Sequence, residues 1–106
     1  MPVYKAPLKE IDFLLHDVLG YEKNVACLPG YEEATRETID AVLAEAAKFC
    51  ENELQPLNLP GDKEGCTYEN GVVRTPKGFK EAYQQFCEGG WCGLTCDPQF
   101  GGQGLP

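Results

Sequence analysis

The stretch GGWCGLTCDPQFGGQGLP, Gly89 to Pro106, contains residue types that can cradle phosphates or hold metals. A dinucleotide-binding turn needs G-x-G-x-x-G between a strand and a helix, with an acidic residue about 20 positions later. Gly102-x-Gly104 follows no hydrophobic strand pattern, and the Gly-Lys-Ser/Thr of a P-loop is missing. Glycine in such a setting serves a tight connection with close backbone approach, which Trp91, Leu94 and Phe100 are expected to anchor by burial. The six cysteines are Cys27, Cys50, Cys66, Cys87, Cys92 and Cys96. The spacing Cys87-x4-Cys92-x3-Cys96 is not a paired CxxC, and a structural zinc site needs four well-placed ligands, so no metal is expected. The single histidine, His16, has the chemistry of a general base. With no Cys or Ser nucleophile near it in sequence, it reads as a surface or boundary residue. Glu32, Glu33, Glu37, Asp40, Glu45, Glu51 and Glu53 have the spacing of a solvated helix face rather than of an acid/base pair.

The whole chain narrows these choices further. Its 106 residues make at most one domain, expected to bury roughly two-thirds of its unfolded surface around one modest core. The formal net charge of -8, from 17 acidic and 9 basic residues, repels phosphate backbones and anionic membranes, so no nucleic-acid partner is expected. No run of about 18 apolar residues suggests a membrane span. MPVYKAPLKEIDF lacks the basic and apolar regions of a signal peptide, so the expected compartment is the cytoplasm, with the cysteines as reduced thiols.

Hydrophobic spacing predicts the elements that position these residues. Leu8, Ile11, Leu14, Leu15, Val18 and Leu19 make one helical stripe, with Pro7 in its first turn and Gly20 as a left-handed stop. CLPG, Cys27 to Gly30, reads as a turn. The longest helix is expected from Glu32 to about Gln55, with its stripe on Ile39, Val42, Leu43, Ala46, Phe49, Cys50 and Leu54, and Pro56 ending it. PLNLPGDKEG then reads as a polar connection. Asn70-Gly71, between two short β-prone runs, predicts a hairpin that must lie against something else to be stable. Thr75-Pro76 reads as an N-cap and first-turn proline. Phe79, Ala82, Tyr83 and Phe86 give a third helix, ended by Gly89 or Gly90. The expected fold is mainly α: about three helices, a short β-hairpin excursion and a Gly-rich C-terminal loop.

These residues carry a resemblance. GWCGLTCDPQFGGQGLP resembles the acyl-CoA dehydrogenase pattern G-W-x-G-L-x-x-P-x-x-Y/F-G-G-x-G-L-P, with Pro98 one place later than in many members. It follows a helix containing E-N-E-L-x-P-L-N, Glu51 to Asn58, and the insert GCTYENGVVRTPKGFKEAY, Gly65 to Tyr83, fits as well. The opening YKAPLKEIDFLLHDVLGYE resembles the amino-terminal extension of a larger subgroup that includes 3-methylthiopropanoyl-CoA dehydrogenases.

The resemblance implies residues 1–30 as an extension helix and residues 31–106 as the family's amino-terminal helical domain, truncated at its C-terminal end. Family members are oxidoreductases of fatty acid metabolism, flavoproteins in which a glutamate takes the α-proton of an acyl-CoA while hydride passes to FAD. The resemblance implies FAD, acyl-CoA, electron-transfer flavoprotein and the remaining domains as partners of the parent enzyme. It places no catalytic, cofactor-binding or metal residue in this segment, which is expected to bind no FAD itself. Phe100, Gly101, Gly102 and Gly104 are expected in a loop near the acyl pocket. Apolar faces built to meet missing domains would make the segment self-associate. A stand-alone acidic helical protein-interaction module is the alternative.

Overall fold

The computed structural model describes residues 3–106; Met1 and Pro2, the start of the stretch read for a leader, lie outside the described residues. The described residues form three helical rods, a one-turn helix, one short hairpin and a tail with short 3-10 turns, in agreement with a mainly α fold. The first rod is α1, Leu8–Asp12, continued by wide π turns over Phe13–Val18. Gly20, at φ 59°, stops it as expected and starts the one-turn helix α2, Tyr21–Asn24.

The second rod is longer than its hydrophobic stripe suggests, and both of its ends differ from expectation. Helix α3 spans Arg36–Phe49 rather than starting at Glu32, because Thr35 supplies the N-cap: its hydroxyl accepts from the Thr38 N–H at 3.2 Å. A capping oxygen three residues before a free amide outweighs the helical character of Glu32 and Glu33. At the far end Pro56 does not terminate the rod. The π turns of Cys50–Leu54 lead directly into α4, Gln55–Glu64. The wide turn restarts the hydrogen-bond register, so Pro56 falls in the first turn of α4, where its missing N–H leaves no helical bond unmade. The stretch expected as a polar connection is therefore helix.

The hairpin pairs β1, Thr67–Glu69, with β2, Val72–Arg74, in antiparallel register Glu69↔Val72. Asn70 and Gly71 both have positive φ, 52° and 79°, as a two-residue type I′ turn requires. The expected packing of this ribbon does not occur within the chain: every strand residue is exposed, Tyr68 to 75%. Helix α5 spans Phe79–Glu88 and is preceded by Gly78, not by the expected Thr75 cap. Gly78 lies against Leu57 of α4, where a Cβ would come within 2.7 Å of the leucine, so the close crossing fixes the helix start. Tyr83, placed on the apolar stripe by spacing, is 67% exposed, while Ala82 is buried and Phe86 meets Phe49 of α3 at 6.2 Å.

The buried apolar residues are small or amphipathic: Tyr21, Ala34, Ala47 and Ala82. No large side chain among the described residues is fully buried. The radius of gyration is 17.4 Å, against about 13 Å for a compact chain of this length. The accessible surface is 8019 Å², against about 5,900 Å² for a compact monomer of this mass. The chain buries about half of its unfolded surface rather than the expected two-thirds, because its elements form a layer 17 Å thick and 53 Å long.

Candidate functional site

Two places gather polar or concave chemistry. The first surrounds His16, which is buried rather than at the surface or boundary position expected for it. The first rod runs back along α3, tied at one end by the Ala6 N–H donating to Glu51 Oε1 at 2.9 Å. That course brings His16 over the first turns of α3. Its Nε2 lies 3.3 Å from Asp40 Oδ1 and 3.6 Å from Asp12 Oδ1. Its Nδ1 lies 2.7 Å from Glu22 Oε1, without the alignment of a hydrogen bond. Arg36 adds a guanidinium 3.1 Å from Asp12 Oδ1 and 3.9 Å from Asp40 Oδ2. The Tyr21 ring packs edge-on to the imidazole, and its hydroxyl donates to the Ala34 carbonyl at 3.0 Å. Burial, followed by the negative charge of Glu22, raises the Tyr21 hydroxyl above its ordinary pKa.

Asp40 is thus not simply part of a solvated face, and neither is Glu51. Asp12, His16 and Asp40 each offer a ligand atom within 4.8 Å of one another, a spacing a metal ion could use. The Arg36 guanidinium already lies on both aspartates, and a cation there would have to displace it. The cluster is best described as a charged clasp between the first rod and α3. Glu32, by contrast, serves only its own turn; it accepts from the Gly30 N–H, and backbone donors hold its carboxyl below the ordinary range.

The second place is the glycine-rich tail, which doubles back on itself. The amides of Gly102, Gln103, Gly104 and Leu105 donate to the carbonyls of Asp97, Gly93, Cys96 and Leu94. Asp97 caps the turn by accepting from the Gln99 N–H at 2.8 Å. A phosphate cradle needs outward-pointing amides, and these four are directed at carbonyls of the tail itself. Gly102 is required for close approach: a Cβ there would lie 2.1 Å from the Cys96 carbonyl oxygen.

The tail's inner side and α3 enclose a groove of about 560 Å³, lined by Thr38, Val42, Trp91, Leu94, Gln103 and Leu105 among others. Glu33 and Glu45 also line it. Of the four residues expected near a pocket, none lines this groove. Gly104 borders a neighbouring concavity with Pro98 and Tyr31, and Phe100 stands at the loop tip, 81% exposed rather than anchoring the loop. Of the groove residues on α3, Val42 belongs to the apolar stripe read from the sequence, whereas Thr38, one turn before it, was not singled out. No lysine or arginine occurs after Lys80.

No family model matches the chain. Over 103 residues, 97% of its length, it is 38% identical to a 3-methylmercaptopropionyl-CoA dehydrogenase of Ruegeria pomeroyi, covering 17% of that protein. It is also 32% identical over 100 residues to a butyryl-CoA dehydrogenase of Syntrophomonas wolfei, with 92% of this chain and 16% of the relative covered. The chain therefore spans about a sixth of the length of the curated relatives it matches. No described helix is long and apolar enough to cross a membrane.

Proposed function

Since this chain belongs over nearly its whole length to the acyl-CoA dehydrogenase family, we propose that it serves as the amino-terminal helical layer of such an enzyme. In this reading it forms a wall of the acyl pocket and a docking face for the remaining domains. The observation that carries the reading is the open shape. The accessible surface exceeds that of a compact monomer by about 2,100 Å², more than twice what one partner buries in a standard interface. The excess includes large apolar side chains, among them Phe13, Leu14, Val18 and Leu19 on the first rod and Tyr68, Val72 and Val73 on the hairpin. Faces of this size on a chain of ordinary composition are made to be covered.

The residues present do not fit the flavin that the family implies. Its diphosphate would require cationic side chains or free amides, whereas the groove is lined in part by Glu33 and Glu45 and the tail amides are internally bonded. The apolar lining of Val42, Trp91, Leu94 and Leu105 suits the hydrocarbon end of an acyl group. The parent enzyme would take its FAD, its proton-abstracting glutamate and its contacts with an electron-transfer flavoprotein from other segments.

Sedimentation and gel filtration of the 106-residue chain test this reading. The expected result is a colourless protein, without turnover, that self-associates and binds a dye sensitive to apolar surface. A strict monomer that binds no such dye favours a stand-alone acidic interaction module. A yellow protein retaining stoichiometric FAD overturns the proposal.

A further inference from the structure

Cys87 lies at the end of α5 and Cys92 in the short turn beyond it, separated by Glu88, Gly89, Gly90 and Trp91. Both are exposed, and their sulfurs stand 3.7 Å apart. Cys27, by comparison, donates to the Lys23 carbonyl. The residues enclosed by Cys87 and Cys92 include Gly89, Gly90 and Trp91, all of which line the groove on α3. We propose that Cys87 and Cys92 are a reversible dithiol/disulfide pair, closed by exchange with a low-molecular-weight disulfide, that clasps this wall of the groove.

The chemistry balances within the two reactants. One protein thiol gives its proton to solvent and attacks the small disulfide, forming a mixed disulfide and releasing one small thiolate. The second protein thiol, likewise giving its proton to solvent, attacks the protein sulfur of that intermediate, closing Cys87–Cys92 and releasing the other small thiolate; the two small thiolates take up the two protons. Two electrons pass from the protein sulfurs to the small disulfide, which leaves as two thiols. Closure shortens the sulfur separation by about 1.6 Å to a bond of roughly 2.05 Å. Gly89-Gly90 between the two cysteines offer no side chain to oppose this movement.

Exposure gives the small disulfide access. The Cys92 thiol is raised chiefly by its contact with Cys87, so the two groups already sense each other, and exchange should accelerate as pH rises. Cys96 also bears on Cys92 electrostatically and is the competing partner. The inference does not draw on the acyl-CoA reading and survives its failure.

The test uses the 106-residue chain equilibrated with mixtures of oxidised and reduced glutathione, quenched by alkylation and cleaved after Glu88. That cut separates the two cysteines, so only a disulfide holds the halves together. The expected product is two hydrogens lighter than the dithiol, and it persists in Cys96→Ser but vanishes in Cys87→Ser and in Cys92→Ser. Trp91 emission shifts on oxidation in the wild type and in Cys96→Ser alone. Because the folded chain holds the sulfurs in contact, its closure equilibrium should exceed that of the urea-unfolded chain by about tenfold or more. Equal closure with and without urea overturns the proposal. So does stable accumulation of glutathione adducts at both cysteines, or a dominant link through Cys96.

Discussion

Replacing Gly102 by alanine separates the closely packed tail described here from a merely flexible glycine loop. The added Cβ would lie 2.1 Å from the Cys96 carbonyl oxygen and 2.4 Å from its carbon. That is more than about 1 Å inside van der Waals contact, and the opposing atoms are backbone, which cannot rotate away. The tail relieves the clash by shifting residue 102 within its turn and undocking residues 103–106. It then loses the bonds from Gln103, Gly104 and Leu105 to the carbonyls of Gly93, Cys96 and Leu94, each 2.9 Å long. Three such bonds at about 1 kcal/mol each set the cost near 3 kcal/mol, within the usual range for overpacking. Undocking is local, because α3 and α5 keep their own contacts. Amide exchange should therefore show protection at Gln103, Gly104 and Leu105 falling by about 10²-fold, while the dichroism melting midpoint stays close to that of the wild type. Gly93→Ala is the control: its nearest neighbour would be at 3.5 Å, an ordinary contact, and no change is expected. Unchanged protection of those three amides in Gly102→Ala would refute the packing argument.

Other perturbations probe the remaining elements. His16→Ala removes the buried hub facing Asp12, Glu22 and Asp40; since those carboxylates are nearly half exposed, the expected loss is about 2 kcal/mol by urea unfolding. Tyr21→Phe removes the hydroxyl that binds the Ala34 carbonyl and should cost about 1 kcal/mol. Because the Tyr21 pKa is raised on folding, its contribution is fully present below about pH 10 and is lost as pH rises through the folded value. Tyr21→Phe should therefore flatten part of the alkaline decline in stability. Asn70→Ala places a Cβ-bearing residue without a turn-forming side chain at φ 52°, and should weaken the hairpin by about 1 kcal/mol. Loss of the Tyr68–Val73 cross-strand NMR contacts, with helix shifts unchanged, is the expected signature.

The features legible in sequence were local ones. Asn70-Gly71 encodes its turn in two residues, and Gly20 ends the first rod wherever the rest of the chain goes. The stripe of α5 predicted the element but not which of its residues would be covered, because Tyr83 faces outward from a layer with nothing beyond it. Pro56 misled because the π turns before it place it in the first turn of a new α register, and α4 then runs on through Pro60 as well, so neither proline ends the rod. Thr35 shows a cap signal that the charge pattern at Glu32 obscured. The His16 clasp combines two i, i+4 pairs, Asp12/His16 and Arg36/Asp40, each visible alone. Their meeting across 24 residues depends on the path of the chain between them. The groove was missed for the same reason: Trp91 and Leu105 meet Thr38 and Val42 only through tertiary folding.

The account rests on this layer forming a working wall of an acyl-CoA dehydrogenase, and a segment exchange tests that most directly. The corresponding segment of the Ruegeria pomeroyi 3-methylmercaptopropionyl-CoA dehydrogenase would be replaced by residues 1–106, and flavin content and acyl-CoA-dependent dye reduction measured. The account predicts a chimera that retains FAD and turns over, and whose KM for acyl-CoA rises when Val42 or Leu105 in the groove is changed to Asp. A folded, flavin-loaded chimera with no acyl-CoA-dependent reduction, or with a KM indifferent to those changes, would contradict it.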